Sequence, residues 1–183
     1  MRSCIFSLLL VAVVGTSALG DVVSGPFQGD DVPPLKAFVV VGEPDQQSVN
    51  LGELRLEKPT IYFFVSANMW SRPVARLLKS LDEQIAKLSD EAVICFVYLT
   101  GDVPVAKDYL PKPQMSLKLE HTWWTVYEGD QVGPGEWGLH SDADCTVVIT
   151  TRGKVRFSTG YTSANSTLTD AVLKEFRRAL TGE

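Results

Sequence analysis

The apolar positions of the chain fall into short runs and one long helical stripe, and their spacing predicts the elements. Ala37-Phe38-Val39-Val40-Val41 is apolar and β-branched. After a turn over Gly42 to Gln47, Ser48-Val49-Asn50-Leu51 predicts a short return strand, so the pair predicts a hairpin. Lys58-Pro59 then punctuates the chain, and Thr60-Ile61-Tyr62-Phe63-Phe64-Val65 is a continuous apolar run of strand length, the pattern of a central strand covered on both faces. Val74, Leu77, Leu78, Leu81, Ile85 and Leu88 follow at helical spacing, with Arg76, Lys79, Asp82, Glu83 and Lys87 between them. They predict an amphipathic helix of about four turns, with Pro73 near its start, where a missing N–H is tolerated. Ala92 to Leu99 predicts a second buried strand, and strand, helix and strand together predict a right-handed βαβ unit with parallel strands.

Beyond this unit, Val103 to Leu110 predicts a short helix ended by Pro111 and Pro113, and Trp123-Trp124-Thr125-Val126-Tyr127 a short strand. Gln131 to Gly138 reads as a loop. Thr146-Val147-Val148-Ile149-Thr150, the turn Thr151-Arg152-Gly153-Lys154 and Val155-Arg156-Phe157-Ser158-Thr159 predict an antiparallel hairpin. A last helix is expected from Thr167-Leu168-Thr169-Asp170, a start resembling a capping box, with Val172, Phe176 and Leu180 on one face and Lys174, Arg177 and Arg178 toward the end that the macrodipole favours. Residues 21–34, rich in Gly, Pro and Asp without apolar period, read as an extended lead-in, and residues 35–183 as one domain.

At the N-terminus a basic start at Arg2, an apolar run from Cys4 to Val14 and the small residues of Ala18-Leu19-Gly20 predict a secretory signal over residues 1–20. The run is too short to span a bilayer, so the expectation is an exported chain beginning near Asp21, periplasmic or extracellular, with no membrane partner once the signal is removed. An uncleaved anchor helix is the alternative. The formal charge of −5 and the lack of a basic stripe argue against nucleic acid as a partner. Of the three cysteines, Cys4 lies in the signal, which leaves Cys95 and Cys145. Asn165-Ser166-Thr167 is a glycosylation sequon. His121 and His140 show no ligand spacing with each other or with Cys145, so neither a metal site nor a cofactor is predicted.

One segment carries a resemblance. Phe63-Phe64-Val65-Ser66-Ala67-Asn68-Met69-Trp70-Ser71-Arg72-Pro73-Val74 is similar to the strand and W-C-x-P-C motif that opens the first long helix in the TlpA, redoxin and AhpC/TSA group of the thioredoxin-like superfamily. Trp70 and Pro73 match that motif, while Ser71 and Val74 stand at its two cysteine positions. Trp137-Gly138-Leu139-His140 through Cys145-Thr146-Val147-Val148-Ile149, with Arg152-Gly153-Lys154-Val155, resembles the family's late loop and hairpin. There Cys145 takes the place of a cis-proline that faces the motif. The resemblance runs from about Pro33 to Leu180 and implies an α/β thioredoxin-like fold: a central mixed sheet flanked by helices, with an N-terminal β-hairpin extension.

The replacements bear on chemistry. Dithiol exchange needs an attacking thiolate and a second thiol that resolves the mixed disulfide, and neither Ser71 nor Val74 supplies one. Peroxide reduction fails on the same gap, because no cysteine lies between Thr60 and Val74. Ser71 is expected to serve as the helix N-cap, accepting a backbone N–H bond. No serine-hydrolase elbow is present. Without proline, Asp144-Cys145 is expected to be trans. Two roles stand open for Cys145: a small inert side chain, or a lone thiol of lowered pKa beside a helix start. Cys95, in a central strand, is expected in the core and unpaired with Cys145. At least half of Trp70, Trp123, Trp124 and Trp137 should be buried.

Three functions follow. The first is a redox-inactive module that binds a protein or peptide through the old active-site face around Trp70, Ser71, Arg72, Asp144 and Cys145. The second is a monothiol oxidoreductase or redox sensor working through Cys145. The third, ranked last because no ligand spacing supports it, is a metal carrier using Cys145 with His140.

Overall fold

The computed structural model describes residues 21–182. The signal segment over residues 1–20 lies outside the described residues. Among the described residues ten elements of six or more residues and several shorter ones follow the apolar pattern. Strand β1 is Asp21–Val22, and β2 (Lys36–Val41) and β3 (Gln47–Asn50) form the early hairpin. A single helical turn, α1 (Leu51–Leu54), leads to β4 (Thr60–Ser66), α2 (Arg72–Ile85) and β5 (Val93–Leu99). Helices α3 (Val103–Tyr109) and α4 (Pro111–Leu117) precede β6 (Thr122–Tyr127). The hairpin β7 (Cys145–Thr151) and β8 (Lys154–Tyr161) and the helix α5 (Thr169–Thr181) complete the described chain.

Among the described residues eight strands form one sheet in the order β1-β8-β7-β4-β5-β6-β2-β3. Pairs β4–β5 and β5–β6 are parallel and the others antiparallel, so the sheet is mixed. The apolar runs of β4 and β5 sit at its centre because both of their faces are covered. On one face Ile61, Phe63, Val65, Ile94 and Phe96 pack under α2, α3 and α5 through Val74, Leu77, Leu81, Ala106, Val172 and Phe176. On the other, Tyr62, Phe64, Cys95 and Val97 pack against Leu51, Val32, Leu35 and Trp137. Asp82, 4% exposed on α2, ties the helix to the start of β6. Its carboxylate accepts from the Glu120 N–H (3.0 Å), the His121 N–H (2.9 Å) and the Thr122 hydroxyl (2.7 Å).

Three local expectations change. The lead-in is not a free extension. Asp21 and Val22 pair with Tyr161 and Gly160 of β8, Asp31 bridges Lys154 by both backbone and a 2.7 Å ion pair, and the Pro34 carbonyl accepts from the Trp137 indole at 3.1 Å. It shows no apolar period because main-chain bonds to a sheet edge, not a buried face, hold most of it. Pro111 does not end the helical region but opens α4 in its first turn, where its missing N–H costs nothing. The last helix is preceded by a 3₁₀ turn over Ser166–Leu168, and Asn165, not Thr167, makes the cap, its side chain accepting the Thr167 N–H at 2.9 Å. The β7–β8 turn follows its pattern: Arg152 (φ 51°) and Gly153 (φ 70°) both take the left-handed conformation that suits a two-residue hairpin.

Candidate functional site

The loop from β4 to α2 carries the motif residues. A turn closed by the Met69 and Trp70 N–H groups on the Ser66 carbonyl (2.9 and 3.1 Å) brings the chain off the end of β4. Ser71 follows in extended conformation (φ −143°, ψ 167°) as the N-cap of α2, and its carbonyl accepts the Ala75 N–H at 2.9 Å. The position is as expected, but the hydroxyl makes no cap hydrogen bond. Proline is the physical reason: Pro73 has no N–H, which removes one of the two donors that a cap side chain uses. Ser71, Arg72 and Pro73 are exposed, and Val74 is fully buried.

Trp70 is half-buried. Its indole N–H donates to the Tyr109 hydroxyl (3.1 Å), and its ring meets Phe96 and Trp124 edge-on, with centroids 5.0 and 6.1 Å apart. Trp124, whose own N–H donates to Gln114, and Trp137 are fully buried, while Trp123 is half-buried under the Arg55 guanidinium. The tryptophans thus divide evenly between core and rim. Beside Trp70, helix α3 turns Val105 (61% exposed) and Tyr109 to the outside, one helical turn apart.

Cys145 opens β7 alongside the end of β4, where Phe64 pairs with Thr146. It belongs to the same buried cluster as Val74 and is 1% exposed. Its peptide bond with Asp144 is trans, as expected; among the described residues the cis bond is Glu43–Pro44. The lowered pKa expected of a lone reactive thiol is reversed: burial, and then the Asp144 carboxylate, push the Cys145 thiol well up. Asp144 braces the backbone, accepting the Ala164 N–H (3.0 Å) while its own N–H donates to the Tyr161 carbonyl (2.7 Å). Burial raises Cys95 to about 12, against a smaller opposing pull from Arg55. Both cysteines are free, on β5 and β7 with β4 between them.

The structure therefore keeps Trp70, Ser71 and Arg72 together on an outer face, but withdraws Val74 and Cys145 into the core. Among the described residues no three of His, Cys, Asp and Glu gather as metal ligands, and no helix is long and apolar enough to cross a membrane. His121 serves through its backbone, between Asp82 and Ile94.

A cleft of about 320 Å³ opens where β4 and β5 end, on the face of the sheet away from α2. Its floor is Phe64, Leu99, Leu139 and the buried Thr146, and its rim carries Ser66, Asn68, Thr100, Gln131, Ser141 and the exposed Val132. His140 stands on the rim with its backbone N–H on the Ser24 hydroxyl (2.9 Å). Neither Trp70, Arg72 nor Cys145 lines it. Sequence reading missed this cleft, because its walls come from four separate segments that no spacing connects. The one signal available was general: open sheets place ligands outside the carboxyl ends of their parallel strands.

No family model and no curated protein matches the sequence. Solved structures do match the fold. A protein assigned as the thiol:disulfide interchange protein DsbE from Chlorobium tepidum superposes with a TM-score of 0.60 at 16% identity, covering 84% of this chain and 98% of that one. An uncharacterized thioredoxin-like protein from Porphyromonas gingivalis gives 0.59 at 16% identity over 82% and 92%. The exposed lipoprotein thioredoxin Etrx1 from Streptococcus pneumoniae gives 0.56 at 15% identity over 80% and 99%. These superpositions, together with the mixed sheet, the βαβ unit and the late hairpin, show that the chain has the thioredoxin-like fold.

Proposed function

We propose that this is an exported, redox-inactive thioredoxin-like protein that binds a protein or peptide partner through the face that carries thiols in its redox-active relatives. Neighbours in structure bear thiol:disulfide names, yet the sequence has serine and valine at the two motif positions. One observation carries the reading: Cys145, the cysteine of the late hairpin, is 1% exposed in the same core cluster as Val74, and burial pushes its thiol up, while Ser71 and Val74 bring no thiol to the α2 start. What remains outside is an aromatic and aliphatic surface of Trp70, Tyr109 and Val105 beside Ser71 and Arg72, the side-chain mix that protein contacts favour. The signal-like first segment supports export, and the acidic balance disfavours nucleic acid.

The test has two arms. The purified chain should give no insulin reduction and no peroxide consumption. A photo-crosslinking side chain placed at Ser71 should capture a defined partner in the native compartment, whereas the same group at Lys174 on α5 should not. Turnover in either assay, or equal capture at both positions, contradicts the proposal.

A further inference from the structure

The cleft at the ends of β4 and β5 has a chemistry that the former redox face does not explain. Its floor is apolar but for Thr146, its rim carries hydroxyl and amide side chains and the His140 imidazole, and no Lys, Arg, Asp or Glu lines it. A charged ligand seated there would lose its hydration without gaining a counter-charge. The volume, about 320 Å³, lies at the lower end of the range that small-molecule sites occupy.

Hydrogen-bond accounting adds a direction. Ser24 and Thr146 hydroxyls lie 2.6 Å apart, so one donates to the other, and the Ser24 oxygen also accepts the His140 N–H at 2.9 Å. Two hydroxyl hydrogens share one bond between them, and no other acceptor for the second occurs among the described hydrogen bonds. Thr146, 3% exposed, lines the cleft, and Ser24 does not. The contact admits either hydroxyl as donor, and Thr146 is the partner that lines the cleft; when Ser24 donates, the remaining hydrogen is that of Thr146, and a ligand in the cleft can accept it. A buried donor left without one costs about 1–3 kcal/mol, so this arrangement favours a ligand that supplies it.

We propose that this cleft binds a small uncharged molecule, with a ring or branched apolar body against Phe64 and Leu99 and a carbonyl, hydroxyl or ether oxygen on the Thr146 hydroxyl. The site is separate from the protein-binding face, although the segment from Ser66 to Ser71 runs from one to the other.

Benzamide serves as a probe, with benzoate and benzamidinium as charged partners of the same shape. Titration of the chain beginning at Asp21, followed by backbone amide NMR, should give saturable shifts with benzamide clustered at residues 66–68, 99–101 and 139–146. The two ions should bind at least about tenfold more weakly. Thr146→Val should weaken benzamide about three- to tenfold, the loss of one hydrogen bond. Ser66→Leu, half-buried at the end of β4 on the same face as Phe64, should fill the cleft and abolish the shifts. The proposal is overturned by an absence of saturable shifts, by shifts centred elsewhere, by ions binding as well as benzamide, or by variants that bind like the parent. The probe series on the parent protein decides the matter even where a variant fails to fold.

Discussion

A reporter thiol at Ser71 reads the electrostatics of the α2 start directly. Ser71→Cys puts sulfur at an exposed N-cap where the unpaired N–H groups of the first turn and the helix dipole favour negative charge. An anion at such a position gains about 0.3–1 kcal/mol, rising to about 2 where it is partly buried. At about 1.36 kcal/mol per pKa unit, this lowers the thiol from about 8.5 to between about 7 and 8.3. Arg72, exposed next in the chain, acts in the same direction. The assay is the pH dependence of iodoacetamide alkylation, with the parent protein as baseline because Cys95 and Cys145 are buried. A single reacting thiol with a midpoint below about 8.3 agrees with the structure. A midpoint at or above about 8.5 refutes the placement of Ser71 at a helix start.

Other consequences can be measured independently. Asp82→Ala leaves two backbone N–H groups and the Thr122 hydroxyl without their acceptor, so chemical denaturation should show a loss of about 3–5 kcal/mol; a loss under about 1 contradicts the brace. Stability should also fall at alkaline pH. Cys95 is raised in the folded state to about 12, so its contribution is intact below the unfolded value of about 8.5 and is lost as pH rises between the two. Burial of Cys145 acts with the same sign, and urea midpoints at pH 7 and pH 10 should differ in that direction, a difference that Cys95→Ala reduces. The double change Ser71→Cys with Val74→Cys should form a disulfide under mild oxidation, since the helix start supplies the spacing; mass spectrometry that finds both thiols free places the motif wrongly.

The core of the fold was legible because its elements depend on burial. β4 is apolar from Ile61 to Val65 and β5 from Val93 to Leu99, and α2 repeats Val74, Leu77, Leu81 and Ile85 on one face, so pattern and packing coincide. The parts that were not legible depend on partners distant in sequence. Ser24 finds Thr146 and His140 more than a hundred residues away, and Pro34 finds Trp137, so the lead-in looks structureless when read alone. Pro111 reads equally as the end of one helix or the first turn of another, and only the short link at Leu110 decides it. At the site, the position of Ser71 followed from the motif, but its idle hydroxyl did not, because that depends on loop geometry beside Pro73. The depth of Cys145 was likewise hidden: alternation along β7 gives its face, but not how completely α2 and α5 close over it.

Redox inactivity requires that no thiol of the folded chain be available for chemistry. Count the groups that react with an aromatic disulfide reagent in the chain from Asp21 onward, first native at neutral pH and then in guanidinium. The expected result is no rapid reaction in the native state and two thiols, Cys95 and Cys145, on unfolding. A native thiol that reacts at once, mapped to Cys145, would show that this end of the sheet retains a working sulfur and would contradict the redox-inactive reading.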